Sequence, residues 1–224
     1  MTTFISIQNT YQILELGLFD NSTLIDKRYT KNQQASKEFI SLLYDLLKHN
    51  KTSLQELSCM VVNQGPGPFS TLRVVISSVN GISFATNIPL IGIDGLDAFI
   101  MQYSDTAYPY TIVLLNAFNF DVYFALQQPG KPLTKGYKKI DQLLHELATL
   151  IPDQSIRFLG NGTKLYQDKI ETQFNEQAYI PFPLPHNCSI EQIAHMGLQK
   201  WKKQEGITNQ LLPLHLKQHP RQQQ

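Results

Sequence analysis

The chain of 224 residues has two cysteines, Cys59 and Cys188, and a single tryptophan. Two cysteines exclude a disulfide-built scaffold and a four-cysteine zinc site. Cys59 lies in the apolar run Cys59-Met60-Val61-Val62, which reads as a buried strand with an inert core thiol. Excess charge of one sign is also missing. Lysine plus arginine number 19 against 18 aspartate plus glutamate, a net charge of +1. That excludes a strongly basic nucleic-acid binder and leaves open only a local basic face. The charged fraction is 17%, so much of the surface must be Gln, Asn, Ser and Thr. No apolar run approaches the roughly 18 residues that a membrane span needs. The first residues carry neither the basic segment nor the apolar stretch of a secretory signal, so a soluble cytosolic protein is expected.

Metal-binding and catalytic patterns are equally scarce. The histidines His49, His145, His186, His195, His215 and His219 form no H-x-x-x-H or H-E-x-x-H, which argues against a zinc peptidase. His186-Asn187-Cys188 are adjacent on one loop and cannot make a working triad. The acids are dispersed, with no D-x-D. No catalytic residue, metal or cofactor is expected.

What the chain has is alternation. With 42% hydrophobic residues it can bury one large core or two small ones. Residues 4–7, 13–19 and 24–29 predict a three-stranded antiparallel meander, with Asp20-Asn21-Ser22 as turn chemistry. A helix follows at Ala35–His49, its core stripe being Phe39, Leu43, Leu46 and Leu47. Ile40 and Leu42 fall outside that stripe, a surplus that implies deep burial or a second partner. Ser53-Leu-Gln-Glu56 has capping-box spacing. A strand at Cys59–Asn63, a helix over 70–86 capped by Ser70, a strand at Leu90–Ile93 and a helix over 94–102 complete the first half. The second half repeats the order: strands over 110–116, 122–126 and 136–139, a helix from Asp141 to about 151, a strand at Ile156–Leu159, helices over 163–174 and 189–204, a short apolar end at 211–216, and a frayed terminus from His219. Two α/β lobes are expected, divided as 1–104 and 105–224.

Three features invite a functional reading. The loop Gly65-Pro66-Gly67-Pro68 joins a strand to a helix, as phosphate loops do. Pro66 and Pro68 remove two backbone donors, and no Walker lysine follows. A rigid structural loop is the first reading and a partner-contact loop the second. Arg73 stands alone in an apolar run at the helix start, where the dipole disfavours a cation. A pairing acid, a neighbouring carbonyl or a partner must answer it. The same helix has two faces. Leu72, Val75, Ile76, Val79 and Ile82 fit a sheet, while Val74, Ser77, Ser78, Gly81 and Ala85 form a stripe of small residues that another helix could approach closely. Lysines 135, 138 and 139, and 200, 202 and 203, read first as solvated surface, with RNA contact as the lesser alternative.

Gln64-Gly-Pro-Gly-Pro-Phe-Ser-Thr-Leu-Arg73 resembles the G-P-G-S-F-T-G-L-R stretch of the bacterial TsaB family, also called YeaZ. Asn80-Gly81, Ile88-Pro-Leu-Ile-Gly-Ile93, Ser36 with its apolar helix, Leu159-Gly-Asn-Gly162 and Leu212-Pro-Leu-His-Leu-Lys217 continue the similarity. The resemblance implies an actin-like, sugar-kinase-like pair of RNase H-like lobes. It implies a non-catalytic scaffold for the TsaD catalytic subunit, in a complex with the ATPase TsaE that puts a threonylcarbamoyl group on tRNA adenosine. Contact with tRNA would be indirect at most, and the resemblance leaves a homodimer open for the chain alone. The first lobe would bind the partner through Ala35, Phe39, Ile40, Leu42 and Leu43 of one helix, and Phe69, Leu72, Arg73, Val74, Ser77, Ser78, Gly81 and Ala85 of the next. The chain departs from the family pattern at Gln8-Asn9-Thr10 in place of D-T-S, Ala35 in place of histidine, Pro68 in place of serine, and Asn116-Ala117-Phe118 in place of D-A-R. The alternatives are a small-molecule kinase or ATPase of the same fold, and a self-associating protein with no tRNA role.

Overall fold

The computed structural model describes residues 2–214 and Leu216. His215, Lys217 and the end from His219, which the sequence reading touches, lie outside the described residues. The chain divides into two compact units.

The first unit holds a six-stranded sheet in the order β11-β5-β4-β1-β2-β3. Its strands are β1 (Thr3–Asn9), β2 (Ile13–Asp20), β3 (Thr23–Lys31), β4 (Cys59–Asn63), β5 (Leu90–Ile93) and β11 (Ile207–Thr208). The expected meander is present: β1 pairs antiparallel with β2, and β2 with β3. β4 then pairs parallel with β1, and β5 with β4. Alternation along β1 sends Ile5 and Ile7 into the core beneath α1 (Ala35–His49) and α2 (Phe69–Thr86). Ser6 and Gln8 point the other way, toward the start of α7 (Ile190–Lys203). α7 lies close on this second face because Gly197 has no side chain: a Cβ there would sit 2.3 Å from Val61.

The second unit holds a five-stranded sheet in the order β10-β9-β6-β7-β8. These are β6 (Thr111–Asn116), β7 (Asp121–Gln127), β8 (Thr134–Lys139), β9 (Ile156–Leu159) and β10 (Ala178–Tyr179). α4 (Ile140–Leu150), α5 (Asn161–Leu165) and α6 (Gln167–Phe174) complete it, with Ile140, Leu143, Leu144, Leu147, Ile170 and Phe174 in its core. α3 (Gly95–Gln102) carries the chain out of the first unit.

Several expectations need correction. A single break at 104/105 does not describe the contacts: the first unit ends at Ala98, and Cys188–Leu214 returns to it. α7 covers a face of the first sheet and β11 extends its β5 edge, so packing overrides chain order. The helix expected over 163–174 is broken at Tyr166, whose φ of −116° and ψ of 23° leave the helical basin. Ser70 and Asp141 lie inside their first turns, and Pro68 and Lys139 hold the cap positions. Ser189 does cap α7, accepting from the Gln192 N–H at 3.2 Å. β10 and β11 are two residues each, too short to leave a periodicity. Among the described residues no helix is long and apolar enough to cross a membrane.

Candidate partner-binding site

The β4–α2 loop fixes the direction in which α2 leaves the sheet. Gly65 has φ +100°, a conformation that disfavours any side chain, and a Cβ there would come 2.8 Å from Leu72. Its N–H donates to Asn63 Oδ1 at 2.9 Å and its carbonyl accepts from Gly95 at 2.8 Å. Pro68 accepts from the Leu72 N–H at 3.0 Å and from the Thr71 hydroxyl at 3.2 Å. Asn9 closes the arrangement by donating its amide to Thr71 Oγ1 at 3.0 Å. Gly65, Pro66, Gly67 and Pro68 thus sit in a loop held from β1, β4 and α3.

α2 buries Leu72, Val75, Ile76, Val79 and Ser83. Ile82 packs against the same core from its edge. The small stripe lies on the opposite side. Ser77, Gly81 and Ala85 are exposed, and Val74 and Ser78 are half-buried. A Cβ built on Gly81 meets nothing within 4 Å. Phe84 stands beside the stripe, 89% exposed. At the other end of the helix the Arg73 guanidinium lies 3.8 Å from the centroid of the half-exposed Phe69 ring. That contact suits a cation for which the helix dipole offers nothing.

α1 packs beside α2. Its exposed apolar residues are Ile40 and Tyr44, one turn apart. Between the helices lies a groove of about 380 Å³, lined by Ile40, Tyr44, Leu47, Leu54 and Ile82 among others. The segment below it is pinned by Glu56, whose carboxylate accepts from the Ser53 N–H at 2.6 Å and hydroxyl at 2.8 Å. Four residues placed at the partner surface by resemblance are core instead: Ala35, Phe39, Leu43 and Leu72 are each at most 4% exposed. Leu42 is half-buried against the same core. The sequence reading missed Tyr44 and Phe84. Each is a large residue outside its helix's core stripe, a signal that was available for both.

The positions where the family pattern carries acids are occupied by amides with internal work. Gln8 is fully buried, donates to the Cys188 carbonyl at 2.9 Å and accepts from Asn63 Nδ2 at 3.2 Å. Asn116 Oδ1 accepts from the Phe118 N–H at 2.8 Å, closing a turn in which Phe118, Asn119 and Phe120 all have positive φ. Burial pushes the Cys59 and Cys188 thiols up to about 12, so neither is a nucleophile at neutral pH. Among the described residues no three His, Cys, Asp or Glu side chains are gathered to hold a metal ion.

The chain matches the family model described as TsaD, tRNA N6-adenosine threonylcarbamoyltransferase, over residues 29–199. It is 21% identical over 211 residues to the tRNA threonylcarbamoyladenosine biosynthesis protein TsaB of Bacillus subtilis (strain 168), covering 88% of each chain. It is 26% identical over 162 residues to the tRNA N6-adenosine threonylcarbamoyltransferase of Clostridium botulinum (strain Hall), covering 67% of this chain and 45% of that one. Among solved structures, YeaZ from Pseudomonas aeruginosa superposes with a TM-score of 0.72 at 18% identity, covering 96% of this chain and all of the other. A second structure from that organism, described as similar to peptidase YEAZ, gives 0.73 at 18% identity over 97% of this chain. Both share the α/β fold that the two mixed sheets build here. The chain belongs to the TsaD-related family of tRNA threonylcarbamoyladenosine biosynthesis, and within it to the TsaB (YeaZ) group as a divergent member.

Proposed function

We propose that this protein is a non-catalytic scaffold that binds and supports a TsaD-type threonylcarbamoyltransferase. The observation that carries the reading is the outer face of α2: a glycine with open space above it, set among Ser77, Ala85 and the exposed Phe84, with Ile40 and Tyr44 of α1 alongside. Small residues let a second helix approach closely, and the large residues at the margins supply apolar area once water is excluded. The partner-facing residues are then Ile40, Phe69, Arg73, Val74, Ser77, Ser78, Gly81 and Ala85 from the original set, with Tyr44 and Phe84 added. The same face accounts for a homodimer when the partner is absent. A TsaE-type ATPase would join the larger complex in the cytoplasm, and tRNA would be met through the partner.

Gln8 and Asn116 support the absence of a catalytic role. In their place a nucleotide-hydrolysing relative of this fold would need an acid free to organise a metal, and both amides are committed to backbone partners. The kinase or ATPase alternative has no observation in its favour.

The test is Gly81→Leu. The new side chain projects into open space in the free chain and replaces a mid-helix glycine, so the melting temperature should not fall. Association with the cognate TsaD-type protein, measured by calorimetry, should fall by at least about tenfold, the effect of roughly 1.4 kcal/mol. Unchanged association with an intact fold would place the interface elsewhere.

A further inference from the structure

The C-terminal segment after β11 runs across the β4–α2 loop and along α2, and two side-chain amides hold it there. Asn80 grips Leu211 at both of its backbone groups: Nδ2 donates to the Leu211 carbonyl at 2.9 Å, and Oδ1 accepts from the Leu211 N–H at 2.9 Å. Gln64 holds the next residues with one side-chain and one main-chain group. Its Nε2 donates to the Leu212 carbonyl at 2.8 Å, and its main-chain carbonyl accepts from the Leu214 N–H at 2.9 Å. The Leu211 side chain drops into the core of the first unit. Gln64 can lie in this position because residue 92 is a glycine; a Cβ there would sit 1.9 Å from Gln64 Oε1.

The grip is on backbone groups, as in a sheet, although no strand is formed. It is also placed on a particular side of α2. Arg73, Ser77, Asn80 and Phe84 follow one another at i, i+4, i+7 and i+11, a single row on the helix. That row borders the small stripe on the side away from α1, since Ile82, which meets α1 in the groove, lies on the other flank. Leu212, 68% exposed, directly follows the gripped Leu211 on this flank of α2.

We infer that residues 211–214 are a strap that forms the second wall of the partner surface, with Asn80 and Gln64 as its positioning residues. α1 bounds the outer face of α2 on one side with Ile40 and Tyr44, and the strap bounds it on the other with Leu212. This rests on the reading of that face as the site for a TsaD-type partner.

The test uses the full chain in three variants. In Asn80→Ala the amide exchange of Leu211 should rise at least tenfold, and that of Leu214, which Asn80 does not touch, should rise with it. Such joint release shows that the strap moves as one piece. Leu212→Asp should leave melting and exchange unchanged and weaken association with the TsaD-type protein at least tenfold. Gly81→Leu is measured in parallel. Loss of association in Gly81→Leu with full association in both Leu212→Asp and Asn80→Ala overturns the strap and keeps the helix face. Full association in Gly81→Leu overturns the reading of the face itself. Tighter association in Asn80→Ala also overturns the wall, because the strap would then be covering the surface.

Discussion

The Gln8 side chain and Cys188 are joined twice, although 180 residues separate them. The amide donates to the Cys188 carbonyl at 2.9 Å, and the thiol donates to Gln8 Oε1 at 3.4 Å. The contact fastens β1 to the residue just before α7, in a place with no solvent.

Gln8→Leu should therefore destabilise the fold. It removes the Gln8 bonds to the Cys188 carbonyl and the Asn63 amide, at about 1–3 kcal/mol for each buried group that loses its bond. Denaturant unfolding should show the midpoint falling without a change in slope. A variant as stable as the parent would mean that the site is wetter than its burial indicates.

Gly81→Ala separates stability from association. The added methyl meets no atom, and replacing a mid-helix glycine with alanine stabilises by roughly 0.5–1 kcal/mol. The variant should melt higher than the parent and yet bind its partner less tightly. A rise in both would argue against close helix contact at this point.

Glu15 sits on β2 opposite Tyr29, near the Lys27–Glu191 pair. Burial raises its carboxyl above the ordinary value, with Lys27 opposing and Glu191 adding to the rise. A raised group favours the folded state fully below its unfolded value, and that advantage is lost as pH climbs through the folded one. Glu15→Gln should therefore match the parent in acid and melt higher than it at neutral pH. A pH-independent difference would remove the ionisation argument.

Both thiols should be silent to alkylating reagents at pH 8 until the protein unfolds, because burial holds each near 12. Mass spectrometry across a denaturant series should show Cys59 and Cys188 becoming modified at the unfolding midpoint. Labelling of either in the native protein would show local opening at α7 or β4.

Much of the fold was legible because periodicity was strong where single elements bury one face. The meander, α1, β4, β5 and β9 lie where the residues predict them. What remained hidden was set by distant packing. Nothing local marks Cys188–Leu214 as belonging with the first unit, since the reason is the fit of Gly197 over Val61 and the pairing of Ile207 with Ile91. At the candidate site the small stripe and Ile40 could be read from helical spacing. Periodicity could equally separate Phe39 and Leu43 from the surface, and the family resemblance overrode it. The grip of Asn80 on Leu211 spans 131 residues between uncharged groups and leaves no pattern to read.

The return of Cys188–Leu214 to the first unit orders events at the ribosome. The second unit draws all its described strands, and its helices α4, α5 and α6, from the stretch Phe99–Asn187, and has them as soon as that stretch is out. The first unit, though synthesised first, waits for α7 to cover its sheet and for Leu211 to fill its core. Until then Ser6, Gln8 and Val61 face water, and the β5 edge lacks β11. The N-terminal half is thus the later to mature, and a nascent chain stalled before residue 188 would display an open sheet to chaperones and to other chains.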